Sequence, residues 1–217
     1  VTVHWPQRGE KRALIDIAAR NAKSSFDEKR LAEHVKRDTL AQIKSVLKLA
    51  REPNRIECFD ISTIQGTSPV GSMVTFDAGV PNKSRYRRFK IKTVEGQDDF
   101  AMMREMLLRR FKRAIEEQDL PDFVLIDGGK GQLNVAVTVF KDLGIEDMEV
   151  AGIAKSRALE SGDHSPERFF LPGIKDPIIV AQNSPMVKLI AQIRDEAHRF
   201  AVGYHRKRRT QAALTSP

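Results

Sequence analysis

The sequence predicts an α/β fold, a mixed sheet with flanking helices preceded by a helical N-terminal segment. Apolar residues recur at period two through residues 56–61, 70–76 and 86–91 with short turns between, the pattern of consecutive antiparallel strands. Phe123-Val124-Leu125-Ile126 is a continuous apolar run of the kind a buried parallel strand shows, and helix-like stretches lie on both sides of it. Strand-helix-strand connections force parallel pairing, so the later strands extend the earlier meander into a mixed sheet.

In chain order, residues 1–50 are basic, with 11 Lys or Arg against 6 acids, and helical. The stretch from Glu10 to Ala22 is followed by Ser24-Ser25 as a break or cap, then by Asp27 to Ala50 with Leu31, Val35, Leu40, Ile43 and Leu47 at helical spacing; one interrupted helix and a helical hairpin both fit. Glu52-Pro53-Asn54 ends it, because the residue before proline is pushed out of the helical region. Asp77-Ala78-Gly79 and Pro81-Asn82-Lys83 turn the second strand into the third. A helix is predicted from Asp99 to Glu117, capped by Asp98 or Asp99, with Met103, Met106, Leu107, Phe111 and Ile115 as its apolar stripe. After the strand at 123–126, Gly128-Gly129 leads into a helix from Gln132 to Leu143, and Glu149 to Ala154 forms a fifth strand. Residues 155–168 read as a loop, Phe169-Phe170-Leu171 and Ile178-Ile179-Val180 flank a turn, and Pro185 opens a last helix through Arg206. This element order is the layout of a ribonuclease H-like domain, so the expected boundaries are 1–54 for the helical segment, 55–209 for the sheet domain and 210–217 for a linker.

Composition narrows the function. A chain of 217 residues buries a sizeable core without staples, and its one cysteine excludes an internal disulfide framework. No run of residues is apolar enough to span a membrane and no signal peptide opens the chain, so a cytoplasmic protein is expected. With 37 Lys plus Arg against 29 Asp plus Glu, a net charge of +8 and a pI near 9.7 favour an anionic partner, nucleic acid first among them. The chain starts at Val1 rather than Met and stops at Pro217 without punctuation, so it is expected to be a piece of something longer.

Two acids stand out. Asp60 lies inside the apolar strand Glu57-Cys58-Phe59-Asp60-Ile61, where a carboxylate is costly unless paired, hydrogen-bonded or bound to a cation. Asp127 closes the run 123–126 at a strand's carboxyl end, where open α/β sheets place their sites. On neighbouring strands the two would converge, and two hard oxygen ligands suit Mg²⁺ or Mn²⁺ rather than zinc. The residue pattern equally allows Asp127-Gly128-Gly129 as a plain turn and Asp60 satisfied by backbone amides. His198, at the edge of the last helix's apolar stripe, reads either as a structural or solvated side chain or as a metal ligand or proton carrier. Asp98 reads as a cap; Asp99 caps as well or reaches toward the carboxyl ends of the sheet. Gly128-Gly129-Lys130-Gly131 is no nucleotide-triphosphate loop, because position 124 is Val and no Ser or Thr follows the Lys; Gly131 and the helix start behind it leave room for one phosphate contact. Basic residues gather at 85–92, with five of eight positions, at 109–113 and at 205–209, with few interleaved aromatics, so contact with a phosphate backbone is expected over base stacking. Arg87, Arg88, Lys130 and Arg199 are the candidate phosphate contacts.

Phe59-Asp60-Ile61-Ser62 with Gln65-Gly66, Tyr86-Arg87-Arg88-Phe89, Asp98-Asp99-Phe100, Leu125-Ile126-Asp127-Gly128-Gly129-Lys130-Gly131-Gln132 and Asp195-Glu196-Ala197-His198-Arg199-Phe200 together resemble the carboxyl-terminal endonuclease half of the UvrC excinuclease family, in order, from Pro6 to Arg209. The resemblance implies a ribonuclease H-like, Mg²⁺- or Mn²⁺-dependent nuclease that cuts damaged double-stranded DNA on the 5′ side of a lesion during bacterial nucleotide excision repair, within the SOS response. It carries the catalytic Asp, Asp and His over to Asp60, Asp127 and His198, all three as metal ligands, and a further essential Asp to Asp99. It implies UvrB as a partner of the whole protein, and it sets an amino-terminal GIY-YIG nuclease, a UvrB-binding segment and a following helix-hairpin-helix module outside this chain, residues 210–217 being the linker to the last. Thr63 stands where the family often has His. A noncatalytic DNA- or protein-binding module of the same fold, and another ribonuclease H-like enzyme such as a resolvase or an RNA-strand nuclease, are the rival readings.

Overall fold

The computed structural model describes residues 5–62, 70–94, 96, 98–154 and 167–215, the side chains at 62 and 203–215 excepted. Thr63, most of the expected 155–168 loop and the side chains of the basic run 205–209 lie outside what is described. By internal contacts the chain divides into two compact units, Val1–Asp38 and Thr39–Pro217.

The first helix, α1 (Glu10–Leu47), is continuous. The expected break at Ser24-Ser25 does not occur: serine lowers helix propensity only slightly, and the Ser24 hydroxyl donates to Glu28 one turn on, at 3.3 Å. Most described residues before Thr39 are exposed, Leu14, Phe26 and Leu31 among them. The unit boundary falls within this helix, because Thr39, Leu40, Ile43 and Leu47 are its buried positions and belong with the sheet.

Among the described residues the larger unit has eight strands: β1 (Arg55–Ser62), β2 (Val70–Asp77), β3 (Val80–Pro81), β4 (Arg87–Lys90), β5 (Phe123–Asp127), β6 (Glu149–Ala154), β7 (Glu167–Phe170) and β8 (Ile178–Val180). Their order is β3-β2-β1-β5-β6-β7-β8, with β4 also on β2. The meander is antiparallel, β1 pairs with β5 and β5 with β6 in parallel, and β7 and β8 return antiparallel. This is the expected mixed sheet. Strand β7 begins two residues earlier than its apolar run, because Glu167 is buried beneath Arg194 and reads as polar from sequence.

Helices α2 (Asp99–Glu116) and α3 (Lys130–Asp142) cover one face, and α4 (Pro185–Thr215) the other with the end of α1. Side chains alternate along each strand. Ile56 and Cys58 of β1, with Phe123 and Leu125 of β5, join the core under α4. Phe59, with Val124 and Ile126, joins the core under α2 and α3, where Phe111 meets Phe59 and Phe140 at ring separations of 5.9 and 4.8 Å. Met102 and Ala114 complete the buried stripe of α2, while Ile115 is exposed, one position out of phase with the contact face. Helix α4 continues to Thr215, so residues 210–215 are helical.

Candidate active site

The register across the sheet assembles the site. On β2, Ser72 stands opposite Asp60, and on β4 Arg88 stands opposite Ser72. The parallel ladder pairs Phe59 with Ile126, so the next step sets Asp60 beside Asp127. Alternation puts Asp60, two residues after Cys58, and Asp127, two after Leu125, on the α4 side. A row Arg88, Ser72, Asp60, Asp127 thus crosses four strands beneath α4, the two carboxylates at the strands' carboxyl ends.

Helix α4 is locked onto that row. The Ser72 hydroxyl, fully buried, donates to the Ala197 carbonyl at 3.0 Å, and the Arg88 guanidinium donates to the Phe200 carbonyl at 3.2 Å while lying 3.8 Å above the Phe200 ring. Both held carbonyls flank His198. Further up, Arg194 donates to Glu167 of β7 at 2.8 Å in a buried pair. His198 therefore projects from a fixed helix, with Nδ1 3.5 Å from Oδ2 of Asp60.

Asp60 is 6% exposed and its Oδ2 has no hydrogen-bond donor; at 3.5 Å the imidazole is an ion-pair neighbour rather than a donor. Burial pushes the Asp60 carboxyl above its ordinary range, His198 pulls it down, and the charge of Asp99 pushes it up. Burial raises the neighbouring Cys58 thiol well above its usual value, and the charges of Asp127 and Asp60 raise it further, so both carboxylates act on one point. Asp99 reaches this field from the first turn of α2, whose cap is Asp98, accepting from the amides of Phe100 and Ala101 at 3.1 and 3.0 Å. The approach of α2 depends on Gly131: a Cβ there would come within 2.6 Å of the Phe100 ring, so glycine lets the start of α2 lie against the start of α3, three residues after Asp127.

Among the described residues no group of three or more His, Cys, Asp or Glu side chains is arranged to hold a metal ion. The orphaned, buried Oδ2 of Asp60 beside a second carboxylate in register is nonetheless the donor set a hard cation takes, since an unpaired buried carboxylate is otherwise costly.

The four basic candidates do not converge. Arg88 is on the row but braces α4; Arg87 points to the other face and donates to the carbonyls of Ser84 and Tyr86. Lys130 opens α3 and donates to the Lys175 carbonyl, and Arg199 is held by Glu196 at 2.6 and 2.7 Å. Sequence reasoning missed Ser72 and the Glu167–Arg194 pair. Ser72 interrupts an apolar strand at the position opposite Asp60, which is the signal that would have found it.

A family model described as the UvrC RNAse H endonuclease domain matches residues 44–202. The UvrABC system protein C of Syntrophotalea carbinolica is 47% identical over 222 residues, covering 100% of this chain and 36% of that protein. The one from Geobacter metallireducens is 47% identical over 220 residues, covering 99% and 36%. Ciona intestinalis Endonuclease V in complex with a 24mer DNA has a TM-score of 0.42 at 12% identity, covering 86% of this chain and 99% of that one, too distant to bear on chemistry.

The mixed sheet carrying carboxylates on two adjacent parallel strands is thus that of a ribonuclease H-type endonuclease domain. Within that class the chain belongs to the UvrC ribonuclease H endonuclease domain family. It spans about a third of the length of the curated relatives it matches. Among the described residues no helix is long and apolar enough to cross a membrane.

Proposed function

We propose that this chain hydrolyses a phosphodiester of damaged double-stranded DNA in the bacterial cytoplasm, making the 5′ incision of nucleotide excision repair as part of a longer protein that works with UvrB. The family carries the reaction class, and the observation that favours a working site is the buried Asp60 oxygen without a donor, with His198 3.5 Å away and Asp127 one step past the paired residues of the neighbouring strand. Asp60 and Asp127 hold the divalent cation, and His198 completes the ligand set or carries a proton at its ring nitrogen. Bound there, Mg²⁺ or Mn²⁺ supplies an activated water and charge stabilisation for the leaving oxygen. Asp99 adds negative potential from the end of α2, which strengthens cation binding and disfavours a bare carboxylate pair. The strand ladder orients both acids before substrate arrives, so little reorganisation is left to the reaction. Arg88, Arg87, Lys130 and Arg199 contact phosphates only after exchanging their present partners.

The test is incision by the full-length protein carrying Asp60→Asn or Asp127→Asn on a lesion-bearing duplex, both cuts being read on one gel. Loss of the 5′ cut with the 3′ cut retained is the expected result. A 5′ cut that persists in either variant overturns the assignment.

A further inference from the structure

We propose that the cleft between β4 and α2, on the far side of the sheet from Asp60 and Asp127, is a second site and takes a phosphate group. A cavity of about 250 Å³ opens there. Arg85, Arg87, Arg109, Arg110 and Arg113 line it against three acids, Glu57, Glu117 and Asp119, a formal net charge of +2; Arg88, at its rim, turns its guanidinium to Phe200 of α4. Arg109, Arg110 and Arg113 each meet an acid of their own, Glu105, Glu57 and Glu117, but Arg55 and Arg85 share Asp119 and Arg87 is bonded to carbonyls, so cations outnumber anions. Glu57 is taken up by Arg110, through bonds of 2.6 and 3.0 Å. Asp119 is shared among Arg55, Arg85 and Arg110 at 2.7, 3.0 and 3.3 Å. Burial alone would raise the Asp119 carboxyl, yet Arg85 and Arg55 hold it below its usual range, as expected where cations outnumber anions. Arg87 donates to two backbone carbonyls, which bring no compensating charge.

The surrounding arginines are also held in place. Arg109 is tied to the Lys90 carbonyl at 2.8 Å and to Glu105, and Arg113 to Glu117 at 2.7 Å, so the guanidinium planes are set before a ligand enters. A rigid fork of arginines with surplus charge matches the bidentate acceptors of a phosphate, and the ordering cost of binding is small. Met73 and Phe89, the apolar floor, belong to the core under α2. The acid pair lies at the carboxyl ends of β1 and β5 under α4, while Glu57 and Asp119 sit toward their amino ends under α2. A phosphate here is therefore not the one being cut, and the inference stands whether or not the hydrolytic reading does.

A nucleic-acid backbone and a free nucleotide present the same group, and two arms of one experiment separate them. Arginine side-chain Nε–Hε resonances of the 217-residue chain are followed by NMR while pyrophosphate is added, with EDTA present, for the parent and for Arg87→Gln/Arg113→Gln. Both positions are exposed, so the fold survives the exchange, which the urea midpoint checks. Saturable shifts at Arg85 and Arg87 in the parent, with the shift at Arg85 in the variant saturating at least tenfold more weakly, are expected. Absence of saturation, equal binding by the variant, or shifts no larger than those of Arg199 overturn the proposal. The second arm measures binding of a short duplex against salt. A slope of log K on log[salt] shallower by about 1 to 2 in the variant assigns the site to a nucleic-acid backbone; an unchanged slope with pyrophosphate binding lost assigns it to a free phosphate compound.

Discussion

His198 Nδ1 lies 3.5 Å from Asp60 Oδ2, and the two residues, 138 positions apart in the chain, meet where Ser72, Arg88 and the Arg194–Glu167 pair hold the helix that carries His198. The imidazole stands beside a carboxylate that burial has made costly, and it offsets only part of that cost.

Asp60→Asn should therefore stabilise the protein at neutral pH. The folded-state pKa of Asp60 is raised, so the folded chain binds its proton more tightly than the unfolded one, and stability attached to this group is present at low pH and lost as pH rises through the folded value. Removing the charge should return about 1 to 3 kcal/mol, the cost of a buried polar group without a partner. Thermal denaturation at several pH values should show the gain at pH 7 and its disappearance below the ordinary carboxylate range.

Mn²⁺ should stabilise the parent and leave Asp60→Asn unmoved. A ligand at a hundred times its dissociation constant adds about 2.7 kcal/mol to the folded state. Calorimetric scans with and without the ion test this, and equal shifts in both proteins would place the ion elsewhere.

Ser72→Ala removes one buried hydrogen bond to the Ala197 carbonyl and should cost about 1 kcal/mol in urea unfolding. Incision by the full-length protein should fall by more than that loss implies, because the helix carrying His198 loses a tether on the row of Asp60. Ser72→Thr should recover part of both.

Arg110→Met leaves Glu57 charged and unpaired at 1% exposure, and should destabilise by about 3 to 5 kcal/mol at pH 7. Burial already raises the Glu57 carboxyl despite the guanidinium. Without Arg110 it rises further, so the deficit should shrink as pH falls and Glu57 protonates. The double variant Glu57→Leu/Arg110→Met should be less destabilised than the single one, which denaturation curves at pH 7 will show.

The sheet was legible because its signals are periodic: the meander, the run 123–126, the strand at 149–154 and the α2 stripe, Ile115 excepted, bury the residues their spacing nominates. The continuity of α1 was not, because Ser24-Ser25 resembles a break when helix and solvated turn differ by a few tenths of a kcal/mol. The start of β7 was hidden for another reason: Glu167 owes its burial to Arg194, 27 residues on. At the site, Asp60 and Asp127 drew attention as acids in apolar strands, yet their shared face follows from pairing and alternation together, and pairing is not written in either strand. The basic residues were misleading in isolation, since a guanidinium stacked on Phe200 and one turned to the opposite face are adjacent letters, Arg88 and Arg87.

The alternation of β1 has a consequence for mutational tolerance. One strand feeds two polar centres of opposite design: Glu57 is bonded to Arg110 against α2, and three residues later Asp60 keeps an oxygen without a donor against α4. Their separation by an odd number of positions fixes which face each meets. A single-residue deletion between them would deliver both acids to one face, stranding a carboxylate in an apolar core and emptying the row at once, whereas the same deletion in an exposed turn shifts no phase. Length errors in this strand should thus be far more damaging than most substitutions within it, because what the ladder transmits is parity.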